Sequence, residues 1–337
     1  MDLFFLNSRL GVVFDWYKKV TKDWLVEAPV LTSFGTNPPY INGGDIQNRG
    51  FEIGLSWKDH IQDLSYGVNL NISTNKNKVL RIDNSEGIIH GPINSLFGTT
   101  PEFVRVEVGK PIGYFWGFKT AGVFQTQEEI DNYVNSRGEK IMPNARPGDL
   151  IFVDLNGDGE FSGGDEDKGM IGDPNPNITF GFSFHMEYKG FDLSVTSTGV
   201  LGVDIAQSYR NWTASTDNYT LYDYENRWTG PGTSNVAPKL YYTPSINDTY
   251  ISDRYIRKGD YWRLSNVTLG YDFKELWKKA PLQQLRLYLS ANNLFTITGY
   301  NGMDPDVGFG DPSWGRGVDI GFYPSSRVFM FGVSVAY

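Results

Sequence analysis

The sequence predicts an all-β fold, the wall of an antiparallel transmembrane β-barrel with long loops at one rim, and three observations predict it. Hydrophobicity alternates with a period of two in run after run. The connections between the runs alternate between long and short. The final run, 326–337, sets Phe329, Phe331, Val333, Val335 and Tyr337 on one parity and Met330, Gly332, Ser334 and Ala336 on the other, and it ends on an aromatic residue. Closing strands of outer-membrane barrels have that form.

Taken in chain order, the first run sets Leu10, Val12, Phe14 and Trp16 against Gly11, Val13 and Asp15. Phe51, Ile53, Leu55 and Trp57 then alternate with Glu52, Gly54 and Ser56, and Tyr66, Val68, Leu70 and Ile72 with Gly67, Asn69, Asn71 and Ser73. The longest run places Ile178, Phe180, Phe182, Phe184, Met186 and Tyr188 against Thr179, Gly181, Ser183, His185 and Glu187. Phe191, Leu193 and Val195 follow, then Val267, Leu269, Tyr271 and Phe273, then Leu285, Leu287 and Leu289; with the terminal run the sequence yields eight strands. Successive side chains of a strand point to opposite faces, so every run has one apolar face and one small or polar face.

A soluble β-sandwich shows the same alternation, and the connections separate the two folds. They are long over 20–46, short over 59–63, long over 77–176, short at 189–190, long over 206–258, short over 274–283 and long over 298–325. Extracellular loops and periplasmic turns of a barrel obey that rhythm, whereas a Greek-key sandwich has no reason to. Small barrels fill their interior with bulky side chains, but here the lumen-facing parity is mostly Gly, Ser, Thr and Asn. The eight strands are therefore expected to be part of a larger, wide-lumened barrel.

Composition narrows the function. A net charge of −9 without a clustered basic surface argues against nucleic acid as a partner. No stretch approaches the roughly 18 apolar residues of a transmembrane helix, an absence that does not bear on strands. Cysteine is missing from all 337 residues, which suits passage through an oxidising compartment. The first residues carry no signal-peptide pattern, and because a barrel protein must be exported, the chain is expected to be a piece of a longer one.

Several segments, in order, resemble the SusC/RagA family of TonB-dependent outer-membrane transporters, and the resemblance covers nearly the whole chain. Its carriers are Phe5-Leu-Asn-Ser-Arg-Leu, Asp15-Trp-Tyr-Lys-Lys and Asn48-Arg-Gly-Phe-Glu-Ile-Gly-Leu, then Gly113-Tyr-Phe-Trp-Gly-Phe-Lys-Thr-Ala-Gly-Val-Phe-Gln. Pro147-Gly-Asp, Asp154-Leu-Asn-Gly-Asp-Gly, Ile171-Gly-Asp-Pro-Asn-Pro and Phe180-Gly-Phe make the most specific series. Gly259-Asp-Tyr-Trp-Arg-Leu, Asn292-Asn-Leu-Phe and Tyr323-Pro-Ser-Ser-Arg-Val-Phe complete it. The resemblance implies a barrel of about 22 strands around an amino-terminal plug, set in outer-membrane lipid. It implies TonB as the driver, a SusD-like surface lipoprotein as the lid, and glycan fragments or peptides as cargo. This chain would be the carboxyl-terminal barrel portion, without signal peptide, TonB box or plug. The terminal run Phe329, Phe331, Val333, Val335 and Tyr337 would carry the signal read by the barrel-assembly machinery.

Two further groups of residues are candidate sites. Asp154, Asn156, Asp158 and Gly159 fit the calcium-loop pattern D-x-N-x-D-G, and the count reaches Glu160 at position 7 and Asp165 at position 12. The other reading is a solvated turn rich in turn formers. Trp116, Phe118, Tyr209, Trp212, Trp228 and Tyr241 lie in the two longest loops, where rings could stack on sugars or meet a lipoprotein partner, or simply hold the loops together. No nucleophile elbow, Walker loop or dinucleotide fingerprint is present, and His60, His90 and His185 do not stand at metal-ligand spacing. The expected function is import without chemistry on the ligand. The competing readings are a secreted calcium-binding β-sandwich that binds or hydrolyses carbohydrate, and a truncated gene product.

Overall fold

The computed structural model describes residues 1–27, 40–92, 100–209, 218–243, 245–306 and 315–337. A ten-stranded sheet dominates it: β1 (Asp2–Phe5), β2 (Leu10–Glu27), β3 (Tyr40–Ile61), β4 (Leu64–Thr74), β5 (Lys76–Ile82), β6 (Ile178–Tyr188), β7 (Phe191–Leu201), β8 (Tyr261–Asp272), β9 (Gln284–Thr298) and β10 (Val328–Ala336). β5 apart, successive strands pair antiparallel in chain order, and β5 continues β4 along the upper part of β3. The result is an up-and-down wall with no Greek-key crossing and with β1 and β10 at its edges.

The eight expected strands are all present, and two more join them: the short segment β1 at the edge and β5, which occupies the start of the expected long connection over 77–176. Tight turns at 6–9, 62–63 and 189–190 fall at one rim. In the last of these Lys189 and Gly190 both take positive φ, 46° and 85°, as a two-residue hairpin matched to strand twist requires. The expected long loop over 20–46 is corrected: β2 and β3 run through most of it, paired as far as Glu27 and Tyr40. Alternation fails there because Lys18, Lys19, Lys22 and Asp23 are polar on both faces, and pairing persists where water reaches both sides. Strands of 18 and 22 residues far exceed the ~10 residues that cross a bilayer, so this hairpin stands above the rim.

The two faces of the wall are the reverse of a sandwich. Phe329, Phe331, Val333, Val335 and Tyr337 are 46–87% exposed on one face, and Phe14, Trp16, Phe51, Leu269 and Leu289 are exposed with them. Phe180, Phe182 and Phe184 lie half-exposed among neighbouring strands rather than inside a closed core. The opposite face holds the buried polar residues Arg263 and Ser290. All three buried apolar clusters lie beyond the wall, in the long connections, and only the upper ends of β2 and β5 reach them, through Trp24, Val79 and Ile82.

Those connections form a folded cap. Ile88–His90, Val104–Glu107, Tyr114–Phe118 and Lys168–Gly172 make a four-stranded sheet, Thr120–Val123 pairs with Leu150–Phe152, and Asp204–Gln207 joins Ile256–Lys258 and Val318–Asp319. Among the described residues no helix is long and apolar enough to cross a membrane, which says nothing of a crossing made by strands.

Candidate functional site

The inner face of the wall is a hydrogen-bonded polar surface. Asn69 donates to Ser183 at 3.2 Å, Asn266 to Asn292 at 2.6 Å, and Thr268 meets Ser290 at 2.8 Å. Lower down, Arg286 donates to Asp192 at 2.7 Å. Glycines on this parity make room for large neighbours: a Cβ on Gly67 would lie 2.1 Å from the His185 ring, and one on Gly332 2.1 Å from the Tyr288 ring. The inner parity therefore reads as small residues in sequence although their neighbours' rings and ions cover them.

At the upper rim the wall grips the cap. Arg263 on β8 donates to Thr296 Oγ1 at 3.1 Å, to Asp306 at 3.2 Å and to Asp304. Asp304 also accepts the backbone N–H of Ser325 and of Asp306, each at 3.0 Å. Both ends of the last long connection thus converge on one carboxylate held by one arginine. Beside it β8 and β9 bulge: pairing jumps between Leu264 and Asn266, and Asn293 takes φ 51°, a left-handed conformation that Asn tolerates. Its side chain donates to the Ser326 carbonyl at 3.1 Å. This gives a physical reason for the Asn292-Asn-Leu-Phe motif.

The sequence-predicted residues divide sharply. Phe118 and Trp228 are buried in the cap core, with Phe118 edge-on to Phe152, Phe161 and Tyr250 at 5.2–5.9 Å. Trp228 donates from Nε1 to Gln125 at 3.1 Å. Of the two readings open to these rings, burial fits the one in which they hold the loops together. Trp116 is covered on one face by the Arg105 guanidinium at 3.8 Å. Tyr209 is half-buried and donates to the buried Asp319 at 2.5 Å, beside Tyr300, which donates to the same carboxylate at 2.6 Å. Tyr241 is half-buried, and burial, with Asp149 nearby, pushes its phenol up to about 12. Trp212 lies outside the described residues.

The acidic loop is satisfied from within. Asp154 accepts N–H bonds from Gly157 at 2.7 Å and Gly159 at 2.8 Å, Asn156 from Asp158 at 3.0 Å, and Asp158 from Glu160 at 3.0 Å. The twelfth position is not turned inward: Asp165 bonds Lys168 at 2.6 Å, which holds its carboxyl below the ordinary range, and lies 3.8 Å from Arg105. The buried carboxylate is Asp167, which accepts from Leu155 and Ser162. Among the described residues no three Asp, Glu or His side chains gather as a metal cage, so the expected ligand set of Asp154, Asn156, Asp158, Glu160 and Asp165 is not brought together.

An ion cluster that sequence reasoning missed ties the cap sheet. Arg105 grips Glu102 through two bonds of 2.8 and 2.7 Å, and His90 Nδ1 lies 2.7 Å from the same carboxylate, with Glu86 3.2 Å from Nε2. The bond to Glu102 raises the His90 imidazole above its ordinary value. Burial opposes ionisation of Glu102, but Arg105 and His90 outweigh it and keep the carboxyl below its usual range. A raised histidine stabilises the fold fully below its unfolded value of about 6.5 and loses that contribution as pH rises through the folded one. Unfolding of wild type and His90→Gln, followed from about pH 5 to pH 9, is expected to differ most at the acid end and to converge as pH rises; a constant difference would remove the imidazolium from the account.

No family profile matches the chain. Its relatives are nonetheless consistent. It is 29% identical over 344 residues to TonB-dependent receptor P3 of Formosa agariphila, covering 100% of this chain and 33% of that protein. TonB-dependent receptor SusC of Bacteroides thetaiotaomicron is 26% identical over 355 residues, again with 100% of this chain and 31% of the relative. Among solved structures, the RagAB peptide importer in its closed-closed state superposes with a TM-score of 0.72 at 21% identity, covering 100% of this chain and 34% of that one. A second RagAB transporter structure gives 0.73 at 22%, covering 98% and 34%.

Wall, inner polar ladder and outer cap together define a segment of a transmembrane-type antiparallel β-barrel. The particular likeness, along the full chain, is to TonB-dependent receptors of the SusC/RagA kind. The chain spans about a third of the length of the curated relatives it matches.

Proposed function

We propose that this chain forms the carboxyl-terminal wall and outer cap of an outer-membrane TonB-dependent receptor. That receptor imports glycan fragments or peptides, with TonB acting through the rest of the protein and a SusD-like lipoprotein above the cap. No bond in the ligand is made or broken. The observation that carries the reading is the inverted sheet, bare on its apolar face and hydrogen-bonded on its polar one. Water would penalise that apolar face and lipid would not. The edges at β1 and β10 are where the remaining strands would pair, since unpaired edges cannot face lipid.

The secreted sandwich loses its support because no second sheet covers the apolar face among the described residues. Fractionation of cells making the intact receptor tests the proposal. It should require detergent for extraction and migrate differently on gels before and after boiling. Extraction by salt alone, with one unchanged band, would overturn it.

A further inference from the structure

A cavity of about 440 Å³ opens on the inner face where wall and cap meet. Asn48, Asn75, Asn77, Asn175, Thr179 and Arg316 supply most of its polar lining. The amides are held in orientation without being used up. Asn48 Oδ1 accepts from Asn75 at 3.2 Å and Asn77 at 2.9 Å, Asn77 Oδ1 accepts the Ile112 N–H at 2.8 Å, and Asn175 donates to the Ile112 carbonyl at 2.9 Å. An amide side chain has two donors and two acceptor sites, so each keeps hydrogen-bonding capacity for a ligand, and the Asn48 nitrogen donates to nothing among the described residues.

Arg316 is exposed at the mouth and makes no ion pair or side-chain hydrogen bond among the described residues, and no carboxylate lines the cavity. The carboxylate whose field Arg316 meets is Asp173, outside the lining and bonded to Asn175 at 2.8 Å; the guanidinium beside the neutral amides of the lining selects a ligand that is anionic and rich in hydroxyl or amide groups. Peptides are the weaker fit. Behind the cavity β3, β4 and β6 are each paired on both sides, which closes strand addition along them, while β5 pairs with β3 alone.

We infer that the cavity is a subsite for an acidic oligosaccharide, with Arg316 taking the carboxylate of a uronic acid unit and the asparagines its hydroxyls. This rests on the import reading and adds a cargo class to it. The test is calorimetric titration of the intact detergent-purified receptor with tetragalacturonate, maltotetraose and tetraglutamate, using wild type, Arg316→Gln and Thr179→Asp. The last variant sets a carboxylate in the cavity at an exposed position, where folding is not at stake.

Tetragalacturonate should bind best, and both variants should weaken it about tenfold or more, as loss of a charged hydrogen bond implies. Maltotetraose should be indifferent to both changes. Equal affinity in wild type and variants, absence of tetragalacturonate binding, or tetraglutamate bound as tightly, each overturns the inference. The boiled and unboiled gel bands of the same samples report separately on the barrel, so loss of this subsite and loss of the import reading are told apart.

Discussion

Arg263→Ala should cost the protein about 3 kcal/mol or more, the penalty for removing one partner of a buried ion pair. The side chains of Arg263 and Asp304 are 8% and 13% exposed, so water cannot replace the lost guanidinium without reopening the rim. Asp304 would remain charged while tied to Ser325 and Asp306, and the last long connection should come loose at both ends. Denaturant unfolding of the intact protein should show the loss, and limited proteolysis should cut within 299–327 in the variant and not in wild type. Arg263→Met combined with Asp304→Leu should recover part of the stability, because no buried charge is then left unpaired although the Ser325 and Asp306 N–H bonds to Asp304 are lost. A double variant as unstable as the sum of its parts would mean that Arg263 acts through shape rather than charge.

Arg263 also shows where sequence reading stops. It stands within Gly259-Asp-Tyr-Trp-Arg-Leu, one of the motifs behind the family resemblance, yet its acidic partners lie 41 and 43 residues further on, and local spacing carries no signal across such a gap. Strand parity was legible because it is local: each alternating run fixes its own two faces, and the tight turns fix which runs are neighbours. The cap was not. Its strands are two to five residues long, too short for periodicity to stand out, although Val104-Arg-Val-Glu does alternate. Its core joins positions as distant as Gln125 and Trp228, so buried Phe118 and Trp228 looked like free loop aromatics. The calcium count followed the motif to Asp165 and missed Lys168, three residues on, which claims that carboxylate.

Leu289→Arg separates lipid from water on the outer face. Leu289 is 61% exposed and aligned with Leu269 and Phe331, five positions above the start of β9 at Gln284. At about 3.4 Å per residue it stands roughly 17 Å along the strand, or about 13 Å along the membrane normal for a tilt of about 40°. That is the middle of an apolar band about 25 Å tall, where an arginine costs about 2–4 kcal/mol. At a water-exposed site the same change would fall within about 0.5 kcal/mol. His185→Arg, on the inner parity of β6, places the same charge in the lumen and should be close to neutral. Reversible unfolding of the intact protein in lipid vesicles should therefore show a large loss for Leu289→Arg and little for His185→Arg. Equal effects of the two would mean that the exposed leucine and phenylalanine rows do not face hydrocarbon.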